Sequence, residues 1–123
     1  MLRAMPGDLA QRLIAASELH GDFVLSSGRR SNVYFDKFRF LTDPHLLRDT
    51  AKAVAELLPE AITHLAAPEG AATLLVAAVG LETGLPIAVV RKEPKAYGTM
   101  SQLDGHAPAG AEVGLVEDVS TTG

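Results

Sequence analysis

The chain contains no cysteine. That absence excludes a disulfide framework and a thiolate metal site, and with no apolar signal-like run at the start it fits a reducing cytoplasm. Long hydrophobic runs are also missing. The longest nearly apolar stretch, 71–81, is interrupted by Thr73 and Gly80 and falls well short of the ~18 residues a membrane span needs. Positive charge is scarce: 11 Lys and Arg against 15 Asp and Glu give a net charge of -4. A broad nucleic-acid or anionic-membrane surface needs a positive field, so neither partner is expected. The four histidines, His20, His45, His64 and His106, share no metal-ligand spacing and are read as surface or loop residues. What remains is a chain of 123 residues, 47% hydrophobic, long enough for one compact domain and too short for two ordinary ones.

Two helices are legible near the start. Asp8 with Gln11 reads as a cap and its box partner, and Leu9, Leu13, Ile14 and Leu19 give an apolar helical stripe ending before Gly21. Asp43 and Pro44 read as a cap followed by proline at the first helical position, with Leu46, Leu47, Ala51, Val54, Leu57 and Leu58 continuing the period until Pro59. Between them, 23–25 and 33–35 form a predicted hairpin around the turn-prone segment 26–31. Strand and helix then alternate: strand 62–66, helix 71–83 capped by Gly84, strand 87–90 and strand 113–116. Strand, helix, strand in this order predicts an α/β fold with a right-handed parallel crossover. Residues 91–111 stand out as a long connection without a helix. Loops of that length in compact domains usually have a function.

Ligands of an open parallel sheet bind beyond the carboxyl ends of its strands. Three segments occupy such ends. The first is 67–70, Ala67, Pro68, Glu69 and Gly70. The second, 91–98, carries Arg91, Lys92 and Lys95 within five residues, with Gly98 as a candidate hinge, a local cationic cluster suited to clamping a polyphosphate. Taken alone it is as often an ordinary solvated loop. The third is Glu117, Asp118, Val119, Ser120, Thr121, Thr122 and Gly123. Hydroxyls and glycine-adjacent amides suit a phosphate, whereas two carboxylates would repel it unless they face sugar hydroxyls or a bound magnesium ion. A lone acidic pair is more often a plain polar turn. The whole string fits a sugar phosphate.

The segment 113–123 resembles the donor-binding motif of the phosphoribosyltransferase family: a hydrophobic strand, two acids and a Thr-Thr-Gly loop. Gly114 is an unusual residue for that strand. Arg91, Lys92, Glu93, Lys95, Tyr97 and Gly98, followed by Asp104 and Gly105, resemble the catalytic loop of its orotate branch. Leu25, Ser27, Gly28, Ser31, Tyr34 and Asp36 resemble that branch's N-terminal substrate segment.

The resemblance implies a type I phosphoribosyltransferase fold, a Rossmann-like parallel sheet with flanking helices. Residues 1–42 would form an N-terminal helix and hairpin hood, and 43–123 an α/β core with a mobile loop at 91–111. It also implies transfer of phosphoribosyl from 5-phosphoribosyl-1-pyrophosphate to orotate, giving orotidine 5'-phosphate and pyrophosphate in pyrimidine synthesis. Magnesium would come with the donor, with no direct protein ligand. Glu117 and Asp118 would hold the ribose hydroxyls, and Val119, Ser120, Thr121, Thr122 and Gly123 the 5-phosphate. Arg91, Lys92, Lys95 and Tyr97 would contact the pyrophosphate, with Lys95, Arg91 and Lys92 as the catalytic cations. Orotate would meet Thr121, Phe35 and the Tyr34 backbone. A homodimer is implied, with loop 91–98 reaching the neighbouring site.

Ser26 stands where many relatives carry lysine, Tyr97 where many carry histidine, and Glu69 with Gly70 where others carry tyrosine and lysine. Lys37 or Arg30 are candidates to replace the lost positive charge. The resemblance further implies that the fold continues past Gly123. The 123 residues alone are expected to bind donor weakly, to turn over poorly and to leave an unfinished sheet edge that favours association. Two other readings stand beside this one. A phosphoribosyltransferase acting on a purine base is disfavoured by the Arg91 loop and the Ser27 to Ser31 segment. A non-catalytic donor-binding regulator is kept open by Ser26 and Glu69.

Overall fold

The computed structural model describes residues 7–121; the first six residues, Thr122 and Gly123 lie outside it. Helix α1, Leu9–Ser17, buries Leu9 and Leu13. Asp8 precedes it without capping it. Its carboxylate accepts instead from Arg12 Nε at 3.1 Å, and the same guanidinium reaches Asp49 at 2.8 Å. Leu19 is not part of this helix. The backbone becomes extended at Glu18 (φ -77°, ψ 119°), and Leu19 pairs with Tyr34 in a hairpin of β1, Glu18–Val24, and β2, Arg30–Phe35. Strand pairing takes over a position that the helical period alone claims.

Helix α2, Phe38–Leu41, is a single turn that the sequence pattern does not announce, and it buries Phe40 and Leu41. Helix α3, Pro44–Leu57, starts as expected: the Asp43 carboxylate accepts from the amides of His45 at 3.0 Å and Leu46 at 3.2 Å, meeting donors that no helical carbonyl reaches. Strand β3, His64–Pro68, begins two residues later than the apolar run suggests and places His64 in the sheet. Helix α4, Ala72–Thr83, ends at Gly84 in the left-handed conformation, and β4 spans Ile87–Val90.

The long connection is not structureless. Leu103–Asp104 forms β5, antiparallel to β4, so the sheet is mixed rather than wholly parallel. Strand β6, Val113–Leu115, runs parallel to β3. The order is β5, β4, β3, β6. Leu65, Ala66 and Ala67 of the inner strand β3 are buried, and one hydrophobic cluster joins Leu65, Leu75, Val76 and Val79 to Leu9, Leu13, Phe40 and Leu41 of the N-terminal segment. Gly114 has a steric reason. A Cβ there would stand 3.2 Å from Leu58 Cδ2 and 3.4 Å from Ile62 Cγ2, so β6 passes close to the end of α3 because it carries no side chain at that point. Among the described residues no helix is long and apolar enough to cross a membrane.

Candidate active site

The parallel register decides which loops meet. Strand β3 pairs with β4 on one side, Pro68 beside Val90, and with β6 on the other, Ala66 beside Leu115. Their carboxyl ends therefore lie along one edge of the sheet. Glu69 leaves β3 there, Arg91 leaves β4, and Val116 continues β6 with its amide donating to the Ala66 carbonyl at 2.8 Å. Acids and cations far apart in sequence thus flank the end of the same central strand.

On the β4 side, the segment folds back as a narrow excursion, the Arg91 amide bonded to the Gln102 carbonyl at 2.8 Å and the Lys95 amide to that of Ser101 at 3.1 Å. Asp104 sits at its base. One of its oxygens is 2.5 Å from Lys95 Nζ and the other 3.4 Å from Arg91 Nη1. The hydrogen bond from Lys95 is the main cause that holds the Asp104 carboxyl below the ordinary aspartate value, with Arg91 adding to it. Lys95 Nζ also lies 5.9 Å from the centre of the exposed Tyr97 ring, within reach of a cation–π attraction. Lys92 is exposed, and its amide donates to Glu69 Oε1 at 2.7 Å. Glu69 therefore ties the ends of β3 and β4 together.

On the β6 side, Glu117 is exposed while the Asp118 side chain is only 6% exposed. Glu117 Oε1 accepts from the Asp118 amide at 2.9 Å. The hydrogen bond shared with Asp118 and partial burial push the Glu117 carboxyl above its ordinary value. Burial pushes Asp118 the same way, but its hydrogen bond with Glu117 and the ammonium of Lys37 outweigh this and leave it below the ordinary aspartate value. Lys37 Nζ stands 2.5 Å from Asp118 Oδ2 in an ion pair. Val119, Ser120 and Thr121 follow, all exposed; Thr122 and Gly123 are outside the described residues.

Phe35 and the acidic pair line one cleft of about 500 Å³, whose other walls are chiefly apolar side chains such as Leu13, Val54, Leu57 and Leu115. Tyr34 points elsewhere, as neighbours on a strand do. Its ring packs on Phe23 at 5.6 Å and borders a separate recess with Ser26 and Ser27. Arg30 pairs with Asp22, and Lys37 with Asp118, so neither candidate replacement stands free beside the Arg91 cluster. His20, His45 and His106 are exposed, and His64 is half-buried with its Nδ1 2.9 Å from Thr63 Oγ1. The sequence reading named Lys37 as a replacement cation but not as the partner of Asp118, and the clamping role of Asp104 escaped it. The Arg91 cluster carried a signal for its partner only in the acid of the Asp104 and Gly105 pair.

No family model matches the chain. Among curated proteins, orotate phosphoribosyltransferase of Thermococcus gammatolerans is 40% identical over 126 residues, covering all of this chain and 67% of that protein. Orotate phosphoribosyltransferase of Natronomonas pharaonis is 46% identical over 103 residues, 84% of this chain and 58% of the relative. The chain thus spans about three-fifths to two-thirds of the length of these relatives. A crystal structure of Mycobacterium tuberculosis orotate phosphoribosyltransferase in complex with Fe(III) dicitrate superposes with a TM-score of 0.79 at 30% identity, covering 98% of this chain and 69% of that one.

Proposed function

The chain belongs to the orotate phosphoribosyltransferase family, and on that premise we propose that the protein transfers phosphoribosyl from 5-phosphoribosyl-1-pyrophosphate to orotate. The observation that carries the reading is the single sheet edge at which the Arg91 and Lys95 cations flank β3 on one side and Glu117 and Asp118 on the other. In the reaction the bond from the anomeric carbon to pyrophosphate breaks and a bond from that carbon to a ring nitrogen of orotate forms, that nitrogen giving up its proton to the medium. Positive charge develops on the sugar and negative charge on the leaving group. Lys95, Arg91 and Lys92 steady the pyrophosphate, worth about 10²–10³ in rate for a well-placed charge. Tyr97 supports Lys95. Glu117 and Asp118 accept hydrogen bonds from the ribose hydroxyls, while Val119, Ser120, Thr121, Thr122 and Gly123 hold the 5-phosphate and Thr121, Phe35 and the Tyr34 backbone meet orotate.

Magnesium enters this proposal as the donor's companion. An acidic pair beside a phosphate loop fits it, because carboxylates repel a bare polyphosphate and tolerate one whose charge a cation offsets. When bound, it neutralises charge on the leaving pyrophosphate. We also propose a homodimer in which loop 91–98 reaches the neighbouring site, and a cytoplasmic location. Exposed Val24, Tyr34 and Phe38 offer apolar surface for an interface.

The test uses the intact gene product with donor, magnesium and each base in turn. Orotate-dependent release of pyrophosphate with loss of orotate absorbance is expected, with adenine and hypoxanthine inert. Donor binding without any turnover would favour a non-catalytic regulator, and turnover of a purine base instead would overturn the assignment to orotate.

A further inference from the structure

Lys37 lies in the N-terminal segment, two residues after Phe35, and its ammonium crosses to the donor strand's acid at 2.5 Å. Among the described residues its ion pair is with Asp118, and its charge also reaches Glu117. Asp36, next to it, receives the Phe38 amide at 3.2 Å and stands 3.7 Å from Arg39, and Arg30 is held by Asp22. The lysine backbone is fixed as well: its carbonyl accepts from the Leu41 amide at 3.0 Å, and the Asp36 amide donates to Ser17 at 2.8 Å. Asp118 is the more deeply placed partner, 6% exposed against 35% for the Lys37 side chain. Two adjacent carboxylates at one strand end repel each other. A buried one without a cation either takes up a proton or swings out to water, and in both cases it ceases to be a well-aimed acceptor.

We propose that Lys37 is a positioning residue for the sugar of the donor: it holds the Asp118 carboxylate charged and aimed at the ribose hydroxyls, and fastens the base-side segment to the donor strand. The inference rests on the phosphoribosyl-transfer reading and adds to it a residue outside its binding motifs. Lys37 touches no reacting atom. Its loss therefore acts on donor affinity more than on the chemical step.

The experiment compares the intact protein with Lys37→Met, Lys37→Arg, Asp118→Asn and the double variant Lys37→Met with Asp118→Asn. Donor and orotate KM, kcat and thermal unfolding are measured for each. Lys37→Met is expected to raise the donor KM about tenfold or more, with kcat at saturating donor falling less than about threefold. Lys37→Arg is expected to restore most of the affinity. Methionine at 37 should do nothing further when Asp118 is already asparagine, because the pair acts as a unit. Equal donor KM for the unsubstituted and Lys37→Met proteins overturns the inference, as do effects that add in the double variant. A fall in kcat with KM unchanged also counts against it. If the unsubstituted protein neither binds donor nor turns over, the transfer reading itself fails; turnover with an indifferent Lys37 sinks only the positioning role.

Discussion

Gly105→Ala tests how the segment 91–104 is anchored. Gly105 follows the two-residue strand β5 with φ +93°, and a Cβ there would stand 2.8 Å from the Ile87 carbonyl oxygen and 3.2 Å from Ala88 Cα. Both are backbone atoms of β4, itself paired with β3 from Leu65 and Ile87 onward, so β4 is poorly placed to yield. Left-handed backbone costs a non-glycine residue about 1–2 kcal/mol. Forcing a methyl group into occupied space adds about 1–3 kcal/mol, for a total of about 2–5 kcal/mol. Gly110→Ala is the control. Its φ is +88° but nothing lies within 4 Å of the added Cβ, so only the backbone part, about 1–2 kcal/mol, applies. Alternatively β5 lifts away and the stability loss is smaller. In that case the amides of Arg91 and Lys95, bonded to Gln102 and Ser101, exchange faster with solvent. Urea denaturation and hydrogen exchange on the intact protein distinguish the two. Equal destabilisation by both substitutions within about 0.5 kcal/mol, with Arg91 and Lys95 protected as before, would refute the anchoring argument.

Glu117→Gln should raise the melting temperature near neutral pH while weakening donor binding. The folded state raises the Glu117 pKa, so its contribution to stability is fully present below the unfolded value and is lost as pH rises through the folded one. Replacing the carboxyl removes that loss; a lower melting temperature at pH 7 would contradict this. Asp104→Asn releases Lys95 and Arg91 from their resting counter-ion, and calorimetry should show inorganic pyrophosphate binding severalfold more tightly. Weaker binding would instead mean that Asp104 aims the two cations at the ligand.

Local signals carried the sequence reading where neighbours in the chain suffice. Asp43 and Pro44 start α3 because the cap needs only the amides two and three residues on, and the apolar run 87–90 is β4 to the residue. The string from Glu117 pointed to a sugar phosphate, the ligand that the proposed function assigns to it. Local signals failed where a distant partner competes. Leu19 fits a helical stripe until Tyr34 pairs with it; Asp8 fails as a cap for a local reason, because Arg12 one turn on takes its carboxylate. The sequence by itself determined which residues carry charge, which elements alternate and which family motifs they form. Only the tertiary structure decided that Lys37 neutralises Asp118 and that Asp104 holds Lys95. An ion pair across a fold depends on strand order and register, which bring its two ends together and leave no mark on either end's neighbours.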